Sequence, residues 1–127
     1  MSAQSLDLGF ESSANGVTRL ILAGELDIAN AHEVHKVLRQ ATIAADCVVV
    51  DLSGLTFIDS TGVRLLLQFR TISERDGWRL RLVSGPPQVQ NVFRILGLED
   101  RLPFLDGAGG AVVASAGAAT GVSAATG

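Results

Sequence analysis

The sequence predicts an α/β fold in which a mixed β-sheet carries its helices on one face. Three observations predict it. Leu6, Leu8 and Phe10 alternate with Asp7, Gly9 and Glu11, and the segment from Trp78 to Val83 alternates in the same way, so two segments have the period of strands with one polar face. Cys47 to Leu52, CVVVDL, is apolar on both faces, the mark of a central strand. The helical segments between them suffice to cover one side of the sheet, whereas a doubly wound fold needs both faces apolar along most strands.

The elements follow in order. After the first strand, Asn15-Gly16 suits a hairpin turn, although the connection from Ser12 to Gly16 is longer than two residues. Val17 to Ala23 reads as the antiparallel partner. Asn30 and Glu33 have the N-x-x-E spacing of a capping box, and Ala31, Val34, Leu38 and Ala41 form the apolar stripe of the helix it would start. The central strand ends near Leu52, a short loop follows, and a second helix starts near Ser60. Ser84-Gly85-Pro86-Pro87 breaks the chain and starts a third helix with the stripe Val89, Val92, Phe93 and Leu96, which Gly97 is placed to stop. The strand–helix–strand connections after Ala23 are long enough for right-handed parallel crossovers, so the sheet is mixed, with an antiparallel hairpin at its start.

Composition narrows the function. The chain has 127 residues and the size of a single domain. Ten Lys+Arg against thirteen Asp+Glu give a net charge of -3, which argues against a nucleic-acid partner. Aromatics make up only 5%, with no Tyr and one Trp, so the core is aliphatic and recognition by stacking is disfavoured. The single Cys47 excludes an internal disulfide and a Cys-rich zinc site and fits a reducing compartment.

The mean hydropathy of +0.35 has two sources. Residues 1–106 hold every charged side chain and read as the folded domain, while residues 107–127 hold eight Ala, six Gly and no charge and read as a flexible tail. That tail is long enough to span a bilayer, yet it lacks Leu, Ile, Phe and Trp, and its glycines weaken helix formation and insertion. No membrane insertion is expected. The N-terminal MSAQSLDLGF has neither a basic nor an apolar signal region, which points to a cytoplasmic protein.

The densest constellation runs from Asp51 to Arg70, DLSGLTFIDSTGVRLLLQFR. Ser60 there has two readings. Its hydroxyl can cap the free N–H groups of the helix's first turn. Alternatively, it is an exposed acceptor at a helix N-terminus, where a phosphate would meet unpaired N–H groups and the positive end of the helix dipole, with Arg64 one turn further on in reach. On a helical wheel, Leu65, Leu66, Phe69 and Ile72 share the core face with Gly62 and Ser73, while Arg64, Gln68, Thr71 and Arg75 take the solvent side. Val63 and Leu67 lie on the flank. A wide apolar stripe buries them, or they form an apolar contact patch beside Ser60.

Leu22-Ala23-Gly24-Glu25-Leu26-Asp27, the helix that follows, Val50-Asp51-Leu52-Ser53 and Phe57-Ile58-Asp59-Ser60-Thr61-Gly62 together resemble the STAS domain, and more narrowly the bacterial anti-sigma factor antagonists. The resemblance covers about residues 6–105, and Gly97-Leu98 after the third helix also fits. It implies a binding protein, not an enzyme, built on a STAS-like fold and switched by phosphorylation. By position, Ser60 would be the acceptor for an anti-sigma factor that is also an ATP-dependent serine kinase, flanked by Asp59 and Thr61. The unmodified form would bind that factor and free the sigma factor, and a serine phosphatase would reset the cycle. Asp27 would lie at the same end of the sheet, either as a solvated carboxylate or as a contact. The implied docking surface is Asp27, Asp59, Thr61, Gly62, Val63, Arg64 and Leu67.

Two other classes compete: a STAS scaffold subunit of a transporter-linked or signalling assembly, and an enzyme or small-anion binder that uses the helix N-terminus. Other residues point to less. His32 and His35 lack a third ligand nearby, so no metal is expected. No G-x-S-x-G elbow and no glycine-rich phosphate loop is present, so neither hydrolase chemistry nor a nucleotide cofactor is expected. Cys47 reads as a small buried hydrophobe, and Arg79 and Arg81 mark the open face of the sheet.

Overall fold

Four strands and three helices follow one another: β1 (Leu6–Ser12), β2 (Val17–Leu26), α1 (Ala31–Ala41), β3 (Cys47–Ile58), α2 (Ser60–Asp76), β4 (Arg79–Val83) and α3 (Pro87–Ile95). This computed structural model describes residues 6–13, 15–43 and 45–105, so the expected tail at 107–127 lies outside the described residues. The strands lie side by side in sequence order. β1 is antiparallel to β2, and β2, β3 and β4 run parallel. This is the mixed sheet with an opening hairpin that the sequence predicts. Gly16, at φ 81°, supplies the left-handed turn residue between β1 and β2.

Alternation sorts the strands into two faces. Leu20, Leu22, Val48, Val50, Leu52, Leu80 and Leu82 are at most 2% exposed and join Val34 and Leu38 of α1, Leu65, Leu66 and Phe69 of α2, and Val89 and Phe93 of α3 in one core. Their strand neighbours Arg19 and Arg79 are exposed on the other face. Burying one leucine of this kind contributes roughly 1.5–3 kcal/mol, so the helix-covered face dominates stability. Among the described residues, no helix is long and apolar enough to cross a membrane.

The two inner strands are longer than their sequence pattern indicates. β2 continues past Ala23 to Leu26, and β3 continues past Leu52 to Ile58 in place of the expected loop. The reason lies in the register. Ile21 pairs with Asp51, Ala23 with Gly54, Gly24 with Leu55 and Glu25 with Phe57, so Ser53 and Thr56 are extra residues at two bulges. Each bulge restores the inward phase, and Leu52, Leu55 and Ile58 are all at most 3% exposed although they stand three apart. Gly24, at φ 107°, accommodates the second bulge. A Cβ on Gly54 would approach the Leu22 carbonyl oxygen to 3.0 Å, so the backbones pack more closely there than a side chain permits.

The third helix starts as expected, with Pro87 in its first turn, but its stripe differs. Leu96 is 49% exposed because the helix ends at Ile95 and the chain turns at Gly97, φ 71°. Gln90 is buried instead. Its amide accepts from the Gly85 N–H at 2.8 Å and donates to Glu99 at 3.2 Å, which satisfies the polar group inside. Beyond α3 the chain returns to the sheet. Leu82 N–H donates to the Pro103 carbonyl at 3.0 Å, Leu105 N–H donates to the Leu82 carbonyl at 2.8 Å, and Phe104 packs edge-on against Phe93.

Candidate functional site

The second bulge delivers the end of β3 to the start of α2, and Asp59 stands at that junction. Asp59 is the N-cap: its Oδ1 accepts from the Gly62 N–H at 3.1 Å, and its carbonyl accepts from the Val63 N–H at 3.1 Å. Ser60 is therefore not the cap. The carboxylate does that work, and Ser60 is exposed as the first residue of the helix. Of the four first-turn N–H groups that a helix cannot satisfy internally, those of Ser60 and Thr61 remain.

The second oxygen of Asp59 reaches another loop. Its Oδ2 accepts from the Ile28 N–H at 3.2 Å, which ties the β2–α1 connection to the start of α2. Asp27, expected at the same end of the sheet, is thus one residue from a direct bond to Asp59. Its own Oδ1 accepts from the Ala29 N–H at 3.0 Å, a local turn that fixes the carboxylate.

Asn30 completes the loop, and here the capping box fails to form. Asn30 stands at the N-cap of α1 without a side-chain cap bond. Its Nδ2 donates to the Glu25 carbonyl at 2.7 Å, and its Oδ1 accepts from the Asp27 N–H at 3.0 Å. Closing the loop competes with capping for the same amide, and the loop wins because both ends of the side chain are used there. The result places Glu25, Asp27 and Asp59 at one end of the sheet beside Ser60, with Arg64 exposed one turn along α2.

The flank of α2 is a wide buried stripe and not a free apolar patch. Val63 is 2% exposed, within the core, and Leu67 is partly buried against it. Gly62 is also buried, and a Cβ there would lie 2.9 Å from side-chain atoms of Ile58 and Leu26, so only glycine lets the helix start so close to the strand ends. The exposed large apolar side chains near Ser60 are others, which the sequence reading does not single out: Ile28 at 76% and Phe57 at 46%. His35 packs its ring on Phe69 at 5.0 Å between centroids, and Cys47 is buried, with burial pushing its thiol pKa up.

Sequence reasoning also missed a pair on the opposite face of the sheet. Asp51 is 3% exposed, and its carboxylate is paired with the Arg19 guanidinium and accepts from the Ser53 N–H at 2.9 Å. The available signal was an acid inside the apolar run CVVVDL, which demands a cation from a neighbouring strand. Burial pushes this carboxyl up, but hydrogen bonds from Ser53 and Arg19 outweigh it and hold the group below its ordinary value of 3.8. A carboxyl whose folded pKa is depressed stabilises fully above its unfolded pKa and loses that contribution as pH falls through the folded pKa. Urea unfolding of the wild type should therefore weaken below about pH 4, and Asp51→Asn should show a shallower decline over the same acid range.

Against this geometry stand the relatives. The family model described as "Mlab, STAS domain" matches residues 10–117, and the chain belongs to the STAS domain family. The anti-sigma-F factor antagonist RsfA of Mycobacterium tuberculosis is 34% identical over 83 residues, a match that spans 63% of this chain and 65% of that protein. Among solved structures, an anti-sigma factor antagonist from Mycobacterium paratuberculosis superposes with a TM-score of 0.70 at 21% identity, covering 79% of this chain and 85% of the other. The anti-sigma factor antagonist SpoIIAA in its unphosphorylated form superposes with a TM-score of 0.70 at 23% identity, covering 93% and 97%. These two likenesses establish the fold: a mixed four-stranded sheet with three helices.

Proposed function

We propose that this protein is an anti-sigma factor antagonist whose binding is switched off by phosphorylation of Ser60. The observation that carries the reading is the division of labour at the start of α2. Asp59 caps the helix, so the exposed Ser60 hydroxyl has no capping duty and is available for transfer. The name of the mycobacterial relative supports the same role.

In this reading the unmodified protein binds an anti-sigma factor and so releases a sigma factor. Asp27, Asp59, Thr61 and Arg64 form the contact surface, and the buried Gly62 and Val63, with the partly buried Leu67, support it from within. The anti-sigma factor doubles as an ATP-dependent serine kinase, and a serine phosphatase restores the unmodified form. The protein acts by binding in the cytoplasm and carries out no catalysis of its own.

The test is phosphoryl transfer. Incubated with ATP and a kinase encoded beside it, the full chain should gain one phosphate, located on Ser60 by tandem mass spectrometry. Ser60→Ala should gain none. Phosphate on Thr61, or on no residue at all, would sink the proposal.

A further inference from the structure

We propose that Asp51, held by Arg19, is a positioning residue that sets the register of the last part of β3 and so brings Ser60 to the docking end of the sheet. For its functional consequence this rests on the Ser60 reading; its structural content does not.

Asp51 is the one buried charged residue among the described residues, and it sits on the face of the sheet that the helices leave open. Only the Asp51 side of this pair is buried, the Arg19 side chain being 47% exposed, and a buried carboxylate carries a desolvation cost that an apolar residue of similar size does not. The best-attested use of a buried polar group is to specify one register against others. The position of Asp51 suits that use. It pairs with Ile21 at the last register position before the first bulge, and its Oδ1 accepts the N–H of Ser53, the extra residue of that bulge. A bulge takes its extra residue out of the ladder, and Asp51 rather than the neighbouring strand accepts this N–H.

Without the first bulge, β3 would slip by one residue, about 3.3 Å. A one-residue slip turns every later side chain over, so Leu55 and Ile58 would move to the open face. Asp59 would also leave the Ile28 N–H it now accepts. An apolar residue at position 51 would extend the run Val48-Val49-Val50 and remove the acceptor that favours the bulged form.

The experiment uses the full chain labelled with nitrogen-15 and reads the amide resonances of Ile28 and Gly62, both of which donate to Asp59. Asp51→Val should fold cooperatively yet move both resonances, and kcat/KM for phosphorylation of Ser60 should fall about a hundredfold. Asp51→Asn keeps an oxygen for the Ser53 N–H and should leave both resonances near their wild-type positions. If Asp51→Val does not fold, Arg19→Met, which leaves Asp51 without its cation, should move the same two resonances by a smaller amount. Unmoved Ile28 and Gly62 resonances in the folded variant overturn the proposal. If the wild type takes no phosphate while the variant still moves both resonances, the Ser60 reading fails and the positioning role of Asp51 stands.

Discussion

On the proposed reading, the protein phosphorylated on Ser60 is expected to bind an anti-sigma factor about a hundredfold more weakly than the unmodified form, a difference of about 2.7 kcal/mol. The magnitude follows from competing terms. A phosphate adds about -1.5 to -2 charges on a helix N-terminus, which the helix dipole tolerates and even favours by roughly 0.3–1 kcal/mol. The fold therefore survives modification. A docked partner meets a different situation. Asp59 bonds to the first turn of α2 at Gly62, and Asp27 lies next to Ile28, which bonds to Asp59. A surface on the partner that complements these carboxylates now meets added charge and bulk, and mismatched charge across an interface costs several kcal/mol. Titration calorimetry should rank Ser60→Ala with the unmodified protein, and Ser60→Asp below both. If Ser60→Ala bound no better than Ser60→Asp, repulsion at the docking surface would be the wrong mechanism. The melting temperature of the phosphorylated protein should stay within a few degrees of the unmodified one, because about 1 kcal/mol shifts a domain of this size by about 4–8 °C.

Phe69→Ala should have the largest effect on stability, a loss of about 3–5 kcal/mol. Phe69 is fully buried on the inward face of α2, and the ring of His35 on α1 rests against it. Truncation removes apolar contact area and leaves a cavity at the place where α1 meets α2, and the neighbouring elements can collapse into it only in part. Thermal unfolding should drop by more than about 12 °C. A decrease below about 1 kcal/mol would mean that the two helices do not share this contact in solution. Far from the docking end, the variant should still accept phosphate on Ser60 at temperatures where it remains folded.

The parts that were legible in the sequence are those in which a local pattern coincides with a tertiary requirement. Leu20 and Leu22, Leu80 and Leu82 alternate because one face of their strands meets the helices. Ala31, Val34, Leu38 and Ala41 repeat at helical spacing because α1 has one buried side. Ser60 at a helix start was legible for the same reason. What escaped were features that depend on distant partners. Leu52, Leu55 and Ile58 stand three apart, which reads as a loop until two bulges against β2 are known. Asn30 has the spacing of a cap, but the Glu25 carbonyl draws its side chain elsewhere. Arg19 and Asp51 are 32 residues apart, and only the parallel pairing of β2 with β3 brings them together. Val63 lay between two outcomes on the wheel, and the closeness of α2 to the strand ends, which Gly62 permits, decided for burial.

The return of the chain to β4 has a consequence for how the protein behaves at high concentration. A sheet has two rims, and an unpaired rim invites another copy to add its own strand and start an aggregate. On one rim, the segment around Phe104 occupies both backbone hydrogen-bonding groups of Leu82, so the outer side of β4 is engaged at that residue from within the same chain. On the other rim lies β1, with Asp7 and Glu11 placed symmetrically about Gly9. A second β1 approaching antiparallel about that glycine would set Asp7 of each copy against Glu11 of the other, and like charges directly opposite repel. One rim is bridged by backbone at Leu82 and the other is guarded by charge, so each edge of the sheet carries a feature that discourages a second copy from adding a strand.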